Sequence, residues 1–232
     1  MNDIVYICRD GKNEELRYSL RSIERNFPHR LVIIYGGKPD DIEPDAYHRI
    51  KQEGATKWEK VRNTLKLVCQ NNGITPDFWL FNDDFFVMEP IAEPVNYYDG
   101  TLQERIDQLE AATFGQLSQY TKQLRHLVAT LRDAGIERPL NYAHHTPMLI
   151  NRQKMLETLE KYPDEPMFRA LYGNINHIGG INAPDVKFMG RRRPATVGAL
   201  VSTADESWRT QPIGHTIREK FKQPSIWEVR HG

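Results

Sequence analysis

Short apolar runs alternate with amphipathic stretches along the first part of the chain. Ile4 to Cys8 is continuously apolar and closes on Arg9-Asp10-Gly11, which predicts a buried strand followed by a turn. In the next segment Leu16, Leu20 and Ile23 recur at helical spacing, and Pro28 marks the stop. Leu31-Val32-Ile33-Ile34-Tyr35, ending in Gly36-Gly37, is a second strand, too short and too β-branched for a helix. Helical spacing returns through Trp58, Val61, Leu65 and Val68, with Gly73 as a candidate C-cap. Phe78 to Met88 predicts a third strand, interrupted by Asn82-Asp83-Asp84. Strand, helix, strand, helix, strand implies right-handed crossovers and an α/β fold with a mostly parallel sheet flanked by helices.

From Thr101 to about Gly135 the pattern becomes helical throughout. Leu102, Ile106 and Leu109 form one stripe, and Leu117, Tyr120, Leu124, Leu127 and Leu131 form another. The phase slips near Phe114-Gly115, which predicts two helices or one kinked helix. This reads as an α-helical insertion at 101–135, over one edge of the sheet, within a single domain spanning 1–232. Beyond Leu159 the frequent Pro and Gly predict mostly short elements and loops.

Composition narrows the function classes. The chain has 232 residues, 31 Lys+Arg and 31 Asp+Glu, so it is not a globally basic nucleic-acid binder, although a local basic patch remains open. A chain of this length buries roughly 72% of its unfolded surface, enough for a core without staples. Two cysteines, Cys8 and Cys69, are too few for a disulfide scaffold or a cysteine zinc site. No apolar run has membrane-spanning length, and the N-terminus does not read as a secretion signal. A cytoplasmic protein is the expectation.

Candidate chemistry concentrates in three places. Asp83 and Asp84 are adjacent carboxylates inside a strongly apolar segment, expensive to bury as bare charges. They suit the end of a strand where a divalent cation, Mn²⁺ or Mg²⁺, neutralises them, or else a turn in which backbone amides do. A cationic group follows: Arg9, then Arg17 and Arg21 one helical turn apart, and Lys57, Lys60 and Arg62 before the third strand. Such a group suits phosphate recognition, or a solvated helix surface paired with Glu14, Glu24 and Glu59. His144 and His145 cannot both face the core, so one points to a cleft or to solvent. Asp185, Lys187, Arg191 to Arg193 and His215 are further polar candidates. The signatures of P-loop NTPases, dinucleotide oxidoreductases, zincins and α/β-hydrolases are absent from the sequence.

Residues 13–24, NEELRYSLRSIE, resemble the "DELRYSLRSIE" block of the Stealth family of sugar-1-phosphate transferases. Asp3 to Tyr6 with Asp10-Gly11 is similar to that family's "DxVYTWVDG" block, with Cys8 and Arg9 where Trp and Val stand. Phe81 to Phe86 matches its "FNDDFF" block, and His145-Thr146-Pro147 resembles its histidine block. The same order is similar to small GT-A-type nucleotide-sugar glycosyltransferases, including phage-encoded ones.

The resemblance implies a GT-A-like, Rossmann-like fold with a nucleoside-diphosphate sugar, such as a UDP-sugar, over the carboxyl ends of the parallel strands. Arg9, Asp10, Arg17, Arg21, Lys60, Asn63, Asn82 and Asp83 are the implied donor-binding residues. Asp84 and Asp83, with His215, are the implied metal ligands, Asn82 standing where GT-A enzymes carry a first carboxylate. His145 matches the family's catalytic or phosphate-contacting histidine, and Asp185 is the candidate general base of a glycosyl transfer. Three functions stay open: a metal-dependent glycosyltransferase, a sugar-1-phosphate transferase releasing a nucleoside monophosphate, and a non-catalytic sugar-nucleotide-binding module. The acceptor is a polysaccharide, a small molecule, or a hydroxymethylated base in phage DNA, the last in a host cytoplasm. A DNA acceptor would draw on Arg191 to Arg193 with Lys122, Arg125 and Arg132, and on base flipping.

Overall fold

The computed structural model of the protein describes residues 1–113, 117–190 and 198–229. Its strands are β1 (Asp3–Cys8), β2 (Val32–Gly36), β3 (Ala46–His48), β4 (Asp77–Phe81), β5 (Phe85–Val87), β6 (Tyr97–Tyr98), β7 (Met148–Asn151), β8 (Ile181–Asn182), β9 (Lys187–Phe188) and β10 (Leu200–Thr203). Its helices are α1 (Glu14–Asn26), α2 (Lys57–Gln70), α3 (Leu102–Ala112), α4 (Gln119–Asp133), α5 (Arg152–Lys161), α6 (Phe168–Ile175), α7 (Asp205–Thr210) and α8 (Pro212–Lys220).

The main sheet has the order β3-β2-β1-β4-β7, with β7 alone antiparallel to its neighbour. Its strands alternate between two cores, as a pleat requires. Val5, Ile33, Phe78 and Leu80 pack on the side of α2 to α6. Ile4, Tyr6, Ile34 and Phe81 pack on the side of α1, against Leu16, Leu20 and Ile23. A smaller sheet, β5-β10-β9, carries a third cluster in which Phe86 and Val201 meet Trp208, Ile213 and Ile217 of α7 and α8.

The segment expected as one third strand is two. β4 ends at Phe81, the chain turns through Asn82-Asp83-Asp84 with the Phe85 amide donating to the Asn82 carbonyl, and β5 joins the smaller sheet. The polar triplet has no partner inside a continuous strand, so it breaks the run. α2 closes at Asn71 instead of Gly73; the Asn71 Oδ1 accepts from the Gly73 amide. The helical region is two separate helices among the described residues, joined to the α2-side core through Leu102, Ile106, Leu124, Leu127 and Leu131. The two helices pack on each other and α4 packs against α6, in the same core cluster as Met148 and Ile150 of the edge strand β7. Leu117 precedes α4 and is exposed, outside the expected stripe. Phe114 and Gly115 lie outside the described residues. The region beyond Leu159, expected as mostly short elements and loops, carries the short helices α6, α7 and α8 and the short strands β8, β9 and β10. No helix among the described residues is long and apolar enough to cross a membrane.

Candidate active site

Three facts of topology assemble one site from distant segments. Parallel pairing puts the ends of β1, β2 and β4 at the same rim of the sheet, with Cys8 opposite Gly36 and Tyr6 opposite Phe81. β7 runs antiparallel to β4, with Met148 opposite Leu80, so the loop 143–147 that precedes it reaches the same rim. In the smaller sheet Ser202 pairs with both Phe85 and Lys187, which brings Lys187 beside Asp84.

The β1 and β2 loops approach closely. Gly36 has φ +100°, and a Cβ there would meet the Cys8 carbonyl; a Cβ on Gly37 would meet the Asp10 backbone. Arg9 and Asp10 are exposed at this rim, Arg49 standing 4.0 Å from Asp10. Arg9 acts electrostatically on Asp83.

The acidic turn is tied to the first helix. Asn13 caps α1 through Oδ1, which accepts from the Leu16 amide at 3.0 Å, and its Nδ2 donates to Asp83 Oδ2 at 2.6 Å. Asp84 Oδ2 accepts from Lys187 Nζ at 2.9 Å and from Ser202 Oγ at 3.3 Å. Burial and the Asp84 charge push the Asp83 carboxyl up, against the Asn13 hydrogen bond. Burial, together with Asp84, Asp83 and Asp205, raises Glu15 to about 7, although Thr203 Oγ1 donates to it at 2.7 Å.

The fit of a divalent cation rests on these atoms. Asp84 Oδ1 is buried without a hydrogen-bond partner, and Asp83 carries a charge that its surroundings disfavour. A cation would relieve both, and Mg²⁺ typically takes only one or two carboxylates, completing its shell with phosphates and water. The expected third ligand is not gathered: His215 is exposed on α8, and no group of three or more His, Cys, Asp or Glu ligands forms among the described residues.

The adjacent histidines divide as their alternation requires. His144 is buried, its Nε2 3.2 Å from the Ala183 and Pro184 carbonyls and its Nδ1 3.1 Å from Thr146 Oγ1. Burial lowers its pKa, which favours the neutral ring. His145 is partly exposed; its amide donates to Asp185 Oδ1 at 3.1 Å and its Nδ1 lies 2.7 Å from Asp185 Oδ2. Burial pushes the Asp185 carboxyl up, but the His145 hydrogen bonds and the neighbouring imidazoles outweigh it and hold it well below the usual carboxylate range. Both Asp185 oxygens are engaged by His145, while His145 Nε2 has no hydrogen bond among the described residues.

Beside this pair lies a cavity of about 530 Å³. α2 gives it Lys57 and Trp58, α3 gives Arg105, α6 gives Arg169, and Phe85 and His145 complete the walls. Arg169 Nη2 donates to the carbonyls of His144 and Thr146 at 3.1 and 2.5 Å, fixing the histidine loop. The sequence reading missed Arg105 and Arg169 as site residues. The signal for Arg169 was a single charge inside Met167-Phe168-Arg169-Ala170-Leu171, an otherwise apolar helical run.

Arg17 and Arg21, expected at the donor, are held elsewhere. Arg17 pairs with Asp41 at 2.5 Å and Glu228 at 2.9 Å, and Arg21 pairs with Glu228 at 2.6 Å, binding the C-terminal segment to α1. Lys60 and Asn63 lie on α2, where Asn63 Nδ2 donates to the Glu53 carbonyl and so steadies the loop before the helix. Arg62 is buried and donates to the Leu159 carbonyl, a packing role. Asn82 lines the cavity. Arg191 to Arg193 lie outside the described residues.

No family model matches the chain, and no curated protein matches it in sequence. The Stealth resemblance therefore rests on the quoted blocks alone. In three dimensions the chain is similar to a crystal structure of the galactosyltransferase LgtC in complex with donor and acceptor sugar analogues. The TM-score is 0.54 at 12% identity, covering 99% of this chain and 98% of that one. An active-site mutant of LgtC gives a TM-score of 0.52 over the same shares. The central, mostly parallel sheet flanked by helices is the GT-A glycosyltransferase fold.

Proposed function

We propose that the protein is a glycosyltransferase that moves a sugar from a nucleoside-diphosphate sugar to an acceptor hydroxyl. The observation that carries this reading is the joining of the Asn82-Asp83-Asp84 turn and the His145–Asp185 pair at one rim of a GT-A sheet. Asp84, with Asp83, would hold Mn²⁺ or Mg²⁺. When bound, the cation offsets charge developing on the departing diphosphate. Arg9 adds a positive charge from the end of β1, and Lys187 fixes the orientation of Asp84.

In the transfer, the bond from the sugar C1 to the diphosphate oxygen breaks and a bond from C1 to the acceptor oxygen forms. The acceptor proton goes to His145 Nε2. Asp185 accepts from His145 Nδ1, holds the ring in one tautomer and stabilises the imidazolium that results. Asp185 is thus a positioning residue. Incubation with UDP-sugars, Mn²⁺ and a panel of sugar acceptors tests the reading, and UDP release dependent on acceptor supports it.

The free Nε2 of His145 also favours a second reading, the sugar-1-phosphate transferase implied by the Stealth blocks. There the same nitrogen would take the acceptor proton as the acceptor oxygen bonds to the β-phosphorus and the bond from that phosphorus to the bridging oxygen breaks, releasing UMP. Release of neither nucleotide from any sugar nucleotide overturns both readings. Calorimetry with UDP, with and without Mn²⁺, then separates a binding module from a protein with no donor site.

A further inference from the structure

Resting on the glycosyltransferase reading, we propose that the acceptor is an acidic sugar, whose phosphate or carboxylate is bound in the cavity by Arg169, assisted by Arg105 and Lys57. Arg169 is the central observation. Its Nη2 is engaged by two carbonyls, but Nε and Nη1 are buried and have no hydrogen-bond partner. Asp84 and Asp185 act on its charge, yet neither forms an ion pair with it. Burial brings the guanidinium down to about 10, so it stays charged at neutral pH. A buried donor on a charged group is costly when left without a partner. An acidic group entering the cavity meets this charge, which Asp84 and Asp185 act on but do not pair with.

The surrounding charges agree. Lys57, Arg105 and Arg169 line the cavity without an ion pair among the described residues, whereas Lys187 is neutralised by Asp84. Lys57 opens α2 directly after its Thr56 cap, so the positive end of that helix adds to the same wall. Of the lining carboxylates, Asp185 is engaged by His145, which leaves Asp99 to receive sugar hydroxyls. Trp58, with the Lys57 ammonium 4.7 Å from its ring centroid, forms an apolar part of the wall. A volume of about 530 Å³ lies within the range of small-molecule pockets. The anion subsite lies beside the base His145, in a cavity that Asn82 and Lys187 of the acidic turn also line, so an acceptor held there sits next to the donor end.

An NMR titration of the whole protein, saturated with UDP and Mn²⁺, compares glucose, glucose 6-phosphate and glucuronate. The expected result is at least tenfold tighter binding of one acidic sugar than of glucose, with shifts around Arg169 and Arg105. Preference for glucose 6-phosphate or glucuronate identifies the acidic group. Arg169→Gln and Arg105→Gln should each reduce the ratio of acidic to neutral affinity at least threefold. A purely structural role for either arginine would weaken both sugars equally and leave the ratio intact, which overturns its assignment. Equal binding of all three sugars, or binding of none, overturns the proposal. Displacement of glucose 6-phosphate by UDP would also overturn it, assigning the cations to the donor diphosphate. Failure of UDP to bind while the acidic sugar binds would instead overturn the donor reading and leave the anion site standing.

Discussion

Arg17 and Arg21 on α1 carry the same functional group as Arg105 and Arg169 around the cavity, in opposite electrostatic settings. The α1 pair shares the carboxylate of Glu228, which also accepts from the Ser225 amide and hydroxyl. The cavity pair has no carboxylate within ion-pair distance among the described residues. A guanidinium satisfied from within stabilises; one left with free donors in a cavity is poised for a ligand. The two regions should therefore separate cleanly, with turnover lost at the cavity rim and stability lost at the clamp.

The largest effect should come from Asp84→Ala. Turnover of a nucleotide sugar should fall by about 10³-fold or more, since charge compensation at the leaving diphosphate is worth several kcal/mol. The melting temperature should change little by comparison, and unchanged turnover would remove Asp84 from the site.

Glu228→Gln should do the reverse. Burial pushes Glu228 up from its ordinary 4.5, but Arg21, the Ser225 amide and Arg17 bring it down to about 2. Removing this charge leaves Arg21 buried and incompletely paired, at about 3 kcal/mol. Thermal unfolding should show a drop of about 10 °C at pH 7 with kcat nearly constant. Because the folded carboxyl is the stronger acid, the clamp's contribution is present above pH 4.5 and lost as pH falls towards 2. The variant and the native chain should accordingly converge in acid, and a constant gap down to pH 2 would sink the clamp reading.

His145→Gln should lower kcat by about 10²-fold, the lower end for a lost general base. Undiminished kcat in that variant would exclude His145 as the base.

The smallest effect belongs to Glu15, raised to about 7 by burial and its acidic neighbours. Here the folded state binds the proton more tightly, so the contribution is present below pH 4.5 and is lost as pH rises through 7. Glu15→Gln should stabilise by about 1 kcal/mol at pH 8, a figure reduced by solvent screening, and by nearly nothing at pH 4. Melting curves at the two pH values check this.

Elements with a clear period were legible directly. Leu16, Leu20 and Ile23 announce α1, and Ile4 to Cys8 announce β1, because each face or run must be buried. The acidic turn was legible as chemistry, since two carboxylates in an apolar run demand an explanation. Its place at the end of a strand was legible too; that the apolar residues after it join a second sheet was not, because both sides look alike and only their pairing partners differ. Arg17 and Arg21 were read as donor contacts because their partner Glu228 is far along the chain. Arg169 escaped because its consequence depends on which carbonyls and carboxylates surround it.

By itself the sequence determined the alternation of strand and helix, the first helix and the location of the carboxylates, all consequences of local period and local cost of burial. Only the tertiary structure decided which charges are matched and which are free. That outcome follows from strand order and direction: β7 antiparallel to β4 delivers His145 to the rim, and β9 beside β10 delivers Lys187 to Asp84. Electrostatic pairing acts over a few ångströms, and the contacts that matter here join residues from 25 positions apart, Arg169 and His144, to 103, Asp84 and Lys187.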